Sequence, residues 1–201
     1  MKKHLILLLA AACTVGATAN AAAQDWKELL TKIATEAADR LTDGKLTEKA
    51  LVGTWNYTQP GVRLEGEDVL SGVTGTALES TVAKRLETAY GYAGIRAGSC
   101  VFTFNADDTF CATIGKYQLS GTYAFDASTH VVTLRFAKGK IDLGTMEGHA
   151  YIDGQSLQLV FPVTKLVNMV STLGSKISSL AAVTALLDKY KNVYIGFAFQ
   201  K

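Results

Sequence analysis

From Cys100 to Phe161 large apolar residues alternate with small or polar ones, a period of two that suits strands, whose successive side chains point to opposite faces, and not helices. Phe102 and Phe104 lead to the turn Asn105-Ala106-Asp107-Asp108. Phe110, Ala112 and Ile114 follow, then Leu119, Gly121, Tyr123 and Phe125, then Val132, Leu134 and Phe136 across a turn from Asp126 to Thr129. Connections this short join antiparallel neighbours, so the runs form a meander. Met146 to Ile152 and Leu157 to Phe161 add a hairpin about Asp153-Gly154, and Val193, Ile195, Phe197 and Phe199 mark a last strand. Ahead of them all, Gly53-Thr54-Trp55 opens a strand around Val52 to Thr58, which Pro60-Gly61 bends before a short extension from Val62 to Leu64. The total is about eight strands, the number at which a closed sheet leaves an interior just wide enough for side chains or one small ligand. Trp55 is placed to plug one end.

Helical blocks interrupt the strands. After Asp25, a suitable N-cap, Trp26, Leu29, Leu30, Ile33, Ala37 and Leu41 recur at helical spacing until Asp43-Gly44, and Lys45 to Lys49 connect this helix to the first strand. From Val69 to about Tyr92, Leu70, Val73, Ala77, Val82, Leu86 and Ala89 share one side of a second helix, with Gly91 to Gly98 returning the chain to sheet. Pro162 opens a third, carried by Val163, Leu166, Val167, Val170 and Leu173 up to Gly174. A fourth carries Ile177, Leu180, Ala181, Thr184 and Leu187. This pair lies before the last strand, suited to cover a barrel mouth or an open seam. The expected fold is therefore mostly β (α+β by content): an antiparallel barrel with an N-terminal helix, a helical insert after the first strand and a helical pair before the last.

The first residues read as an export signal. Lys2 and Lys3 precede an apolar run from Leu5 to Ala12, and small residues ending in Ala21-Ala22-Ala23 suit cleavage before Gln24. The division is then 1–23 signal peptide, 24–50 N-terminal helix and connection, and 51–201 barrel domain with helical inserts. Ala10-Ala11-Ala12-Cys13 offers a weaker alternative, a lipid anchor on Cys13, although the usual leucine three places before the cysteine is missing. Export to the periplasm or medium is expected. Without Lys2 and Lys3 the remaining 18 basic residues balance 18 acidic ones, so the chain has no global attraction to nucleic acid or anionic lipid. No later apolar run approaches the roughly 18 residues of a membrane span.

Cys100 falls on the buried face defined by Phe102 and Phe104, and Cys111 on the opposite one. A disulfide through a sheet is geometrically difficult, so two unpaired thiols are expected. Sequence motifs for catalysis are weak: there is no Gly-x-Ser-x-Gly, no His-Glu-x-x-His, no Cys-x-x-Cys and no phosphate-binding glycine loop. Glu147 and His149, two apart on one strand, are the best polar pair, but they face away from Met146, Gly148, Ala150 and Ile152 and read as solvent-facing. No enzyme activity, metal or cofactor is expected.

The run GTWNYTQPGVRLEGEDVL, the later AYGYAGIRAGS and the hairpin FTFNADDTFCATIGKYQLSGTYAFD resemble the Bacteroidetes lipocalin-like domains of unknown function, over most of the chain from about Leu51 onward. That resemblance implies a fold and an export route, since the family has no assigned activity to transfer. The family's hairpin turn resembles Asp-Gly-Thr, whereas here Asp108 stands between Asp107 and Thr109, which asks a non-glycine residue to adopt a turn position favouring positive φ.

Two functions follow from the pattern. The inward aromatics Phe102, Phe104, Phe110, Tyr123, Phe125 and Phe161 would line a cavity for a small hydrophobic ligand. Alternatively the rings fill the barrel, which then serves as a structural or protein-interaction module of the cell envelope.

Overall fold

A computed structural model describes residues 45–64, 73–126, 128–137, 139, 141–174, 180–181, 183–185 and 193–201. Strands β1 (Gly53–Leu64), β2 (Cys100–Phe104), β3 (Thr109–Ile114), β4 (Tyr117–Asp126), β5 (Val131–Phe136), β6 (Thr145–Asp153), β7 (Ser156–Pro162) and β8 (Val193–Gln200) run in sequence order round a closed antiparallel barrel, in which β8 returns to pair with β1. Helix α1 (Lys45–Leu51) leads into β1, α2 (Val73–Tyr92) joins β1 to β2, and α3 (Val163–Thr172) follows β7. Residues 180–181 and 183–185 are also helical. The expected export signal, the helix from Trp26 to Leu41, the first residues of the helix expected from Val69, and much of the fourth helical block lie outside the described residues.

Strand β1 differs from its expected form. It is one strand of 12 residues and not a short strand with a broken extension. A register shift between Tyr57 and Gln59 absorbs the bend, and Pro60 sits inside the strand opposite Phe197. The reason is the neighbour on the other edge: β2 pairs with β1 only from Gly53 to Asn56. Beyond Asn56 that edge carries no β2 ladder, so a residue without an N–H costs little there.

The insert between β1 and β2 occupies this gap. Helix α2 packs on β1, burying Val82, Leu86, Ala89 and Tyr90 in the same core cluster as the barrel interior. Tyr90, at the helix's last turn, sets its ring 5.3 Å from that of Phe197 and donates its hydroxyl to the Gly196 carbonyl at 2.8 Å. Helix α3 packs on β7 and β8 through an apolar side that buries Leu166, Met169 and Val170.

At the Gly53 end, Trp55 is wholly buried and donates its indole N–H to the Leu51 carbonyl at 2.7 Å. The Lys201 ammonium donates to the carbonyls of Ala50 and Val52 at 3.0 and 3.2 Å and lies 4.8 Å from the centre of the Trp55 ring. A cation thus meets the carbonyl end of α1, where the helix dipole favours positive charge, and the face of the indole.

The β2–β3 turn holds Asp108 at φ 61, the positive-φ conformation anticipated for it. Aspartate tolerates this region better than most residues, and Asp107 steadies the turn by accepting from the Thr109 amide at 3.2 Å and its hydroxyl at 2.6 Å. These bonds from Thr109, the hydroxyl's first, hold the Asp107 carboxyl below the ordinary aspartate range.

Candidate functional site

The register places all six candidate aromatics on the inward face, but not in one lining. Phe102, Phe104 and Phe110 are mutual neighbours with ring centres 6.1 to 6.4 Å apart, and Tyr123 meets Phe104 edge-on at 5.0 Å. Phe161 is buried farther round the barrel, over Gly148, where a β-carbon would lie 2.5 Å from its ring. Phe110 similarly covers Gly121 at 2.9 Å, so two glycines make room for two rings. Phe125, at the end of β4, is only half-buried and lies 6.5 Å from His130.

Other rings extend the group. Phe136 meets Phe110 edge-on at 5.1 Å, and Phe199 meets Phe102 at 5.6 Å. Phe199 continues to Tyr57 and Phe197 at 6.2 and 6.0 Å, and Tyr90 completes the column against Tyr57 at 6.4 Å. These spacings fall within the 4.5–7 Å range of favourable aromatic pairs, so ring meets ring from β5 to α2. Phe197 and Phe199 were visible as alternating residues of the last strand, whereas Tyr57 was missed, although its place two beyond Trp55 is the signal that could have found it. Tyr90 carried no such signal, because only the packing of α2 brings it inside.

Two of the polar tips within this interior are satisfied by backbone carbonyls. Tyr123 donates to the Asn105 carbonyl at 2.9 Å, as Tyr90 does to Gly196. Burial pushes the Tyr57 and Tyr90 phenols well above their ordinary range, with smaller contributions at Tyr57 from Cys100 and Glu87 and at Tyr90 from Tyr57 and Cys100. Burial likewise pushes the Cys100 thiol up to about 12. Such a thiol stays protonated and unreactive at neutral pH. Both Cys100, buried, and Cys111, exposed, are free thiols, as the alternation of faces implies.

The pair Glu147 and His149 does share the outer face of β6, but the solvent-facing reading holds only for Glu147. His149 is half-buried, its ring stacked on Tyr151 at 6.0 Å and edge-on to Tyr194 at 4.8 Å. His130, at φ 57 in the β4–β5 turn, reaches the same Tyr151 ring at 5.4 Å, and the Arg63 guanidinium lies 3.6 Å above it. Strand alternation identifies an outward residue correctly and says nothing about what its outward neighbours on β1 and β8 will be. Among the described residues no group of three histidine, cysteine or acidic side chains is placed to hold a metal ion.

An eight-stranded antiparallel meander closed from β8 to β1, with an indole at the base of its first strand, defines the lipocalin-like class. The chain belongs to the lipocalin-like domain family DUF4923, whose sequence pattern matches residues 26–201. It is also similar to a DUF4847 family protein of solved structure from Bacteroides vulgatus, with 18% identity and a TM-score of 0.40 over 77% of this chain and 96% of that one. No curated protein matches it.

Proposed function

We propose that this chain is an exported, non-catalytic lipocalin-like module of the cell envelope whose barrel is filled by its own side chains, and which acts through its outer surface. The observation that supports this reading is the column of rings in mutual contact, buried along its length from Phe104 to Tyr90, on the side where a ligand-carrying barrel needs space. Large rings at interior packing density consume the volume that a hydrophobic guest of drug size requires, roughly 300 Å³ or more. The small-residue site before Gln24 supports the export part.

The test is ligand uptake. The protein recovered from cells expressing the whole chain is titrated with a naphthalene-sulfonate dye and with medium-chain fatty acids, beside native mass spectrometry of the protein as isolated. Mass of the bare chain and no saturable one-to-one uptake are expected. Stoichiometric uptake that Phe102→Trp or Phe199→Trp blocks would replace this reading with that of a small-hydrophobe carrier.

A further inference from the structure

Most exposed protein surface carries abundant charge, roughly 25–35% of its residues in well-behaved small domains. Among the described residues, one face of this barrel carries none. No outward position on β2, on β3, or on β4 as far as Ala124 is charged: Thr103, Cys111 and Ser120 stand in one row across the three strands, and Val101, Thr113 and Gln118 in the next. Their small side chains leave a shallow groove of ≈ 500 Å³. Depletion of charge is the compositional mark of an interface centre.

The charges resume at the two ends of β3, with opposite sign. Exposed Asp107 and Asp108 occupy the turn before Thr109, and they outnumber the exposed cation of that row, Arg135, which stands across β4 beside Thr122. Exposed Lys116 follows Ile114, and exposed Arg96 is close by, since the Gly115 amide donates to the Ser99 carbonyl at 2.9 Å and the Arg96 amide to the Ser99 hydroxyl at 2.9 Å. Cys111 lies near the midpoint between the acidic and basic ends.

We infer that this uncharged face of β2, β3 and β4 is the contact between two copies of the chain, related by a two-fold axis that runs in the interface across β3 near Cys111. Rotation about such an axis turns β3 antiparallel to its copy, so the Asp107-Asp108 end of each protomer meets the Lys116 and Arg96 end of the other. An axis along the strand would instead set acid against acid and base against base. An isologous contact must complement itself, and the antiparallel orientation pairs more of these charges with opposite ones than the parallel one does. The association is non-covalent, and its basis lies outside the barrel, so a ligand found inside would leave it standing.

Sedimentation equilibrium of the protein recovered from cells expressing the whole chain, in reductant and from roughly 1 µM to several hundred µM, is expected to show a reversible dimer weakened by salt. Cys111→Ser should leave that dimer in place. Ser120→Arg, which sets a cation near its own copy at the centre, and Lys116→Glu, which sets acid against acid, should each weaken it by about tenfold or more, with melting temperatures close to that of the parent. Adding Asp108→Lys to Lys116→Glu should restore dimerisation, an effect that loss of folding cannot imitate. A monomer throughout the concentration range, or a dimer indifferent to Ser120→Arg and Lys116→Glu, overturns the inference and assigns the face to some other partner or to none.

Discussion

The two halves of β1 are held by different means. From Gly53 to Asn56 the strand pairs with β2, β8 joining only at Asn56, and Trp55 is locked beneath by Leu51 and Lys201. From Gln59 to Leu64 β8 is the one strand that pairs with it among the described residues, and α2 packs against this half. A ladder satisfies backbone donors and acceptors directly, whereas a helix packed on a strand contributes apolar burial and single side-chain bonds such as that of Tyr90 to Gly196. The contrast explains how Pro60 can be buried in the middle of a strand, and it predicts that the Gly53 end relies on one large residue while the Leu64 end relies on several smaller contacts.

The largest test falls on the first end. Trp55→Ala is expected to cost about 3–5 kcal/mol, the usual loss for a large core aromatic, read from urea or thermal unfolding. A midpoint equal to that of the parent would show that the indole does not close the barrel.

At the junction of the halves, Tyr57, Tyr90 and Cys100 are buried in their neutral forms. Burial raises the Cys100 thiol from 9.0 to about 12 and raises both phenols. A group whose folded pKa lies above its unfolded value gives full stability below the unfolded pKa and loses it as pH rises toward the folded one. Stability should therefore hold up to about pH 9 and fall progressively toward pH 12. The check is a series of denaturant midpoints across that window, in which Cys100→Ala should flatten the first part of the fall. A flat series would mean that the junction opens to solvent.

Tyr90→Phe keeps the ring and removes one bond, leaving the Gly196 carbonyl without it. A loss of about 1–2 kcal/mol is expected, with faster amide exchange confined to α2 and the upper part of β1. Uniform acceleration over the whole barrel would erase the distinction between the halves.

His149→Ala should cost about 1 kcal/mol through lost contact with Tyr151 and Tyr194, whereas exposed Glu147→Ala should stay within about 0.5 kcal/mol. Equal, negligible effects in thermal melts would return His149 to the solvent-facing class. The smallest change is a gain: Asp108→Gly, at the positive-φ turn of the Gly53 end, relieves backbone strain and should stabilise by a few tenths of a kcal/mol, roughly. Destabilisation there would mean that the Asp108 side chain itself supports the turn.

Strand number, order and facing were legible in the sequence because each depends on local chemistry. Alternation assigns Phe102, Phe104, Phe110, Val132 and Leu134 to one face, short turns force antiparallel neighbours, and opposite faces separate Cys100 from Cys111. The aromatic interior was legible in part for the same reason: strand residues announce their side, and six of its rings were named from that alone.

What tertiary structure decided concerns neighbours distant in the chain. Alternation cannot say that β2 leaves β1 at Asn56, and so it read Pro60-Gly61 as a bend between a strand ending near Thr58 and a short extension, where one strand runs through to Leu64. It cannot say that Tyr90, on a helix, turns into the barrel to meet Phe197, or that His149 finds Tyr194 beside it. Nor does it separate a lined cavity from a filled one, because the periodicity of a side chain records its direction, while the volume left between side chains depends on where every opposing ring comes to rest.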